Sequence, residues 1–84
     1  MLKITVNHNL RCEVDQNRDD CKREPAHCHI IRNGRRVAQV WLNPVSIEYG
    51  ADLSRSERDE VIAVVSANRY ELEREYRANA EKLY

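Results

Sequence analysis

The sequence predicts an α+β fold: a small antiparallel sheet of about five short strands, with one long C-terminal helix, bent or continuous, packed on one face. Three observations carry this reading. Apolar residues alternate with polar ones through Leu2, Ile4 and Val6, and again through Leu10, Cys12 and Val14. Asn33-Gly34, a strong hairpin signal, separates two apolar runs that hold two of the three histidines and the single tryptophan. From Ser54 onward an apolar stripe recurs at helical spacing, with no Gly or Pro to interrupt it.

The elements follow in order. Leu2–Val6 and Leu10–Asp15 read as half-buried strands of period two, joined by a tight turn at Asn7-His8-Asn9. Gln16–Glu24 has Cys21 as its sole apolar residue and reads as a solvated, mobile connection. The second hairpin pairs the run from Pro25 to Ile31 with that from Val37 to Leu42. A two-residue loop would put His27 and His29 on the same face as Ala38, Val40 and Leu42. A three-residue loop with Gly34 in the left-handed position shifts the register by one. Cys28 and Ile30 then join Ala38, Val40 and Leu42 towards the helix, leaving His27, His29, Ile31, Val37, Gln39 and Trp41 on the other side. The second register sorts polarity better and is the expected one. After a turn at Asn43-Pro44, the alternation of Val45, Ile47 and Tyr49 gives a fifth strand.

Ser54-Arg55-Ser56-Glu57 matches a capping box, so a helix should begin at Ser54. Val61, Val65, Leu72, Tyr76 and Leu83 keep one face, widened by Ile62, Val64 and Tyr70. A continuous helix to the end would run about 40 Å, more than a sheet of short strands covers. Either it bends near Asn68-Arg69, or Leu72, Tyr76 and Leu83 pack on another chain. The second solution is preferred, and a homodimer or a small protein partner is expected.

Composition bounds function. At 84 residues the chain has room for one domain, 1–84. Fourteen basic residues balance fourteen acidic ones, which disfavours a non-specific nucleic-acid binder. No apolar run is long enough to span a membrane. The opening residues lack a signal-peptide pattern, so a cytoplasmic protein with its three cysteines reduced is expected.

His27 and His29 are an i, i+2 pair whose imidazoles project to one side of a strand. Three readings stay open: a recognition or interface pair, two ligands of a metal ion, or a catalytic acid–base group. Further ligands for a metal, among Cys12, Cys21, Glu24 and His8, are candidates by residue type alone. Neither metal nor other cofactor is expected. Arg32, Arg35 and Arg36 surround the hairpin turn and suit a phosphate or carboxylate. Trp41 is a candidate binding platform.

The stretch Glu24-Pro25-Ala26-His27-Cys28-His29-Ile30, followed by Ala38-Gln39-Val40-Trp41-Leu42-Asn43-Pro44-Val45, resembles a small bacterial family catalogued as domain-of-unknown-function family 4160. That family carries a Pro-x-His-x-His-aliphatic motif, a glycine-containing turn, an Ala-x-aliphatic-x-Leu strand and a C-terminal helix. The likeness runs from about Glu24 to Glu81. Ala26 departs from the family's usual Pro-Pro, and Cys28 stands where an aromatic or aliphatic residue is common. The resemblance implies a neighbouring small protein as partner, in a suspected toxin–antitoxin pair, and attaches no role to His27 and His29. The leading reading is therefore a small protein-binding module. The alternatives are a nuclease-like or metal-dependent hydrolase using His27 and His29 with the arginine cluster on a phosphate, and a nucleic-acid-binding regulator.

Overall fold

The computed structural model describes residues 2–14 and 25–81. Its strands are β1 (Lys3–Thr5), β2 (Arg11–Glu13), β3 (His27–Arg32), β4 (Arg35–Leu42) and β5 (Val45–Tyr49), followed by helices α1 (Arg55–Ala67) and α2 (Arg69–Ala80). All neighbours pair antiparallel, and the order across the sheet is β1-β2-β3-β4-β5. The expected α+β class and five-stranded sheet are thus present, with two helices in place of one.

Local chemistry accounts for the turns. The Asn7 Oδ1 accepts from the backbone N–H groups of Asn9 (2.8 Å) and Leu10 (3.0 Å), closing the first hairpin through its own side chain. In the second hairpin Asn33 (φ 52°) and Gly34 (φ 76°) both take left-handed backbone, the requirement of a type I′ two-residue turn. Arg32 pairs directly with Arg35 across it.

The expected three-residue loop is therefore corrected; the expected facing holds for Cys28, Ile30, Ala38, Val40 and Leu42 but not for Val37, which joins their buried cluster. Ile31 pairs with Arg36 and Ile30 with Ala38, so Val37 is an extra residue in β4. This bulge reverses the alternation between turn and strand body. Cys28, Ile30, Ala38, Val40 and Leu42 consequently share one buried cluster with Val61, Val65, Leu72 and Tyr76. A second irregularity, at Glu48, puts Ile47 opposite Val40 but Tyr49 opposite Gln39. Tyr49 thereby leaves the apolar stripe predicted for it and is exposed.

Ser54 caps α1 as its sequence requires. Its hydroxyl accepts from the Glu57 N–H, and the Glu57 carboxylate accepts from the Ser54 N–H at 2.8 Å. Helix α1 lies along β5, and α2 reaches β3 and β4. The break falls at Asn68 (φ −113°, ψ 12°). Its side-chain Nδ2 donates to the Val64 carbonyl at 2.8 Å, a local bond that competes with the regular helical ladder.

The bend removes the reason for expecting an interface at Leu72 and Tyr76. Both are buried in this chain's own core, each burial worth roughly 1.5–3 kcal/mol. Leu83 lies outside the described residues, as do Cys21 and the expected loop Gln16–Glu24. Tyr70, expected to widen the packed face, is exposed. Cys12 and Cys28 are buried free thiols on the helix-facing side. A hydrogen bond to Cys12, then burial, then the electrostatic influence of Cys12 hold the Cys28 pKa far above the usual thiol range, as befits a thiol packed in the core. No helix among the described residues is long and apolar enough to cross a membrane.

Candidate functional site

The residues singled out in the hairpin separate to its two ends. At the turn end, Arg32 is drawn onto α1: its Nη2 pairs with the Glu57 carboxylate and its Nη1 reaches the Asp52 carbonyl at 3.5 Å. Arg35 lies across from it, while Arg36 sits opposite Ile31 and so points to the other side of the sheet. A shallow depression of about 430 Å³ is lined by Arg32, Asn33, Arg35, Val37 and Asp52. The three guanidinium groups thus do not converge on one point. One is committed to the fold, and two are exposed on opposite faces.

At the far end the rings gather. His27 opens β3 opposite Trp41. Its imidazole stands edge-on to the rings of His29 (centroids 5.1 Å), Trp41 (5.6 Å) and Tyr76 (5.2 Å). Strand alternation puts His27 on the side away from Cys28, but Tyr76 of α2 reaches it all the same. The expectation of two histidines clear of the helix is corrected for His27. The pair is also buried, His27 at 1% exposure and His29 at 5%.

The hydrogen bonds place a hydrogen on one named nitrogen of each ring. His27 Nδ1 lies 2.9 Å from the Pro25 carbonyl oxygen, which can only accept, so Nδ1 carries the hydrogen. The Gln39 Nε2 donates to the Glu48 carboxylate at 2.6 Å, which turns its Oε1 towards His29. His29 Nε2 then donates to that oxygen at 3.2 Å. His27 ties down the chain entering β3; His29 is linked through Gln39 to the surface. Among the described residues no group of three or more His, Cys, Asp or Glu side chains is placed to hold a metal ion. His8 lies in the β1–β2 turn and Cys12 in the core, apart from one another in environment.

Beside this cluster lies a groove of about 410 Å³. The half-buried Trp41 forms part of its wall with Pro25, Ala26 and Pro44, and Asn43, Ser46, Glu73 and Arg77 supply polar groups. A cis peptide joins Asn43 to Pro44 at its rim. On α2, Glu73 lies between two arginines one turn away on either side, Arg69 Nε at 3.2 Å and Arg77 Nη2 at 3.1 Å. Sequence reasoning identified Trp41 but neither Glu73 nor Arg77 as a residue of its site. It missed their meeting, because nothing local in the chain says that α2 closes over the end of the β3–β4 hairpin.

Compared with known families, residues 17–77 match the model described as Domain of unknown function (DUF4160). The chain belongs to the DUF4160 family. The match spans the histidine hairpin, α1 and most of α2, and leaves out the hairpin β1–β2. Yet Leu10, Cys12 and Val14 from that hairpin complete the DUF4160 core in this chain. The Pro-x-His-x-His motif of the resemblance corresponds to Pro25, His27 and His29, which here hold one another and Trp41. No curated protein and no solved structure matches.

Proposed function

We propose that this chain is a protein-binding module, one component of a bacterial toxin–antitoxin pair, and that it grips its partner at the Trp41 groove. One observation carries the reading: the half-exposed Trp41 stands on a base of buried rings, with an exposed arginine across the groove from it. A large aromatic surface held rigid in advance is the usual anchor of a protein contact. The suspected pairing of this family with a neighbouring small protein supplies the partner's identity class.

The hydrolase alternative has less support. A general base must reach the proton that it takes, and His27 and His29 are buried, with an N–H of each engaged inside the fold. The arginines that would hold the phosphate lie at the opposite end of the hairpin.

Co-expression with the product of the adjoining small reading frame tests the proposal. The untagged partner should co-purify with the wild-type chain and be lost from Trp41→Ala, whose circular dichroism should be unchanged. Retention by Trp41→Ala would exclude the groove as the contact. Failure of the wild type to retain the neighbour would end the reading.

A further inference from the structure

We infer that the Trp41 groove takes an extended acidic peptide segment, laying an apolar side chain on Trp41 and giving a carboxylate to Arg77. This rests on the groove being the partner site and goes on to name what the partner presents there.

Size sets the first limit. About 410 Å³ lies at the small end of the range for ligand sites. It admits side chains of a strand passing over it and not a helix, which is about 10 Å across with its side chains.

The walls set the second. Pro25 and Pro44 have no N–H to offer. The Pro25 carbonyl accepts from His27 and the Ala26 carbonyl from the Leu42 N–H at 3.0 Å. The Pro25–Ala26 and Pro44 side of the rim therefore offers no free proline donor and two carbonyls already engaged, and recognition there falls to side chains. Trp41 and the two prolines favour an apolar group.

Charge sets the third. Glu73 is 12% exposed, while Arg77 is 70% exposed and Arg69 50%. One nearly buried carboxylate thus faces two guanidinium groups, and the triad carries a net positive charge outward. Arg77 spends Nη2 on Glu73 and keeps further donors of its planar fork for a second carboxylate. Nucleic acid would need several phosphate contacts in register. Among the described residues that line this groove Arg77 is the single cation, which favours an acidic peptide.

The test uses Trp41 emission, since the chain has one tryptophan. The full chain is titrated with an octapeptide of alternating glutamate and leucine, with its lysine–leucine counterpart, and with a short oligouridylate. The acidic peptide should shift the emission and bind at least about tenfold tighter than the lysine peptide. Arg77→Glu should abolish that preference, with unchanged circular dichroism because Arg69 still neutralises Glu73. Equal binding of the two peptides, no shift at millimolar peptide, or a response to oligouridylate instead would overturn the inference. If the co-expressed partner is lost from Trp41→Ala but kept at full affinity by Arg77→Glu, the partner site stands and the acidic segment falls.

Discussion

The two ends of the β3–β4 hairpin are made by the same two strands and behave as opposites. At the turn, Asn33, Gly34, Arg35 and Arg36 are all exposed, and Arg32 ties the hairpin to Glu57 of α1. At the other end, His27, Leu42 and Tyr76 are buried and the rings stack edge to face. Polar residues occur at both, so polarity alone does not decide which end is structural. What decides is the helix overhead: α1 meets the turn with a carboxylate, α2 meets the root with a ring and an aliphatic side chain. Arg35 and Arg36 stay in water, whereas imidazole is enclosed and becomes part of the core.

Substitutions can break that contrast. The largest effect should come from the root. Leu72→Ala empties a fully buried position and should cost about 2–5 kcal/mol in urea denaturation. A loss below about 1 kcal/mol would mean that α2 is not what closes this end. His27→Ala comes next, at about 2–3 kcal/mol, because it leaves the Pro25 carbonyl without its donor and opens space beside Trp41. Trp41 emission in the folded variant should move to the red as water enters.

The turn should respond less. Gly34→Ala has open space for the added methyl but keeps φ at +76°, a left-handed backbone that costs an L-residue about 1–2 kcal/mol. The smallest effect should be one of pH. The backbone N–H of Ser54 first, then Arg32, hold the Glu57 pKa below its ordinary 4.5. A depressed carboxyl pKa gives stability that is fully present above the unfolded value and is lost as pH falls through the folded one. Midpoints of denaturation should therefore stay level on this account down to about pH 5 and decline below it. Arg32→Gln should make that acid decline shallower, which a urea series at several pH values would read.

The same contrast explains what could be foreseen. Strands, the presence of both hairpins and the Ser54 cap were legible because each depends on residues adjacent in the chain: period-two alternation, Asn33-Gly34, Ser54 with Glu57; the two-residue turn with its bulge was not, since a three-residue loop serves the same facing. The break at Asn68 was half legible. Asn is a known competitor for helix carbonyls, but only tertiary packing decides whether it bends the chain, and the excess length was assigned to an interface instead. The enclosure of His27 was not legible at all. It depends on Tyr76, nearly fifty positions away in the chain, and no local pattern encodes that meeting. The groove inherits the same difficulty, since Trp41 and Arg77 come from elements joined only by the fold.

Val37 has a consequence of its own. An Asn-Gly turn and a buried face each demand a parity of the chain, odd or even, and in this hairpin the two demands disagree. Val37 is the surplus residue that sets them at odds, and leaving it unpaired in a bulge reconciles them. Because Ile31 already meets Arg36 and Ile30 already meets Ala38, removing Val37 would leave both pairings and the turn in place and join them as an unbroken ladder. The tip and the ring cluster are in that sense two independently written phrases, and Val37 is the comma between them. Length changes of a single residue at this point can be absorbed without turning either phrase over, whereas the same change anywhere from His27 to Ile30 would exchange the imidazoles for the core.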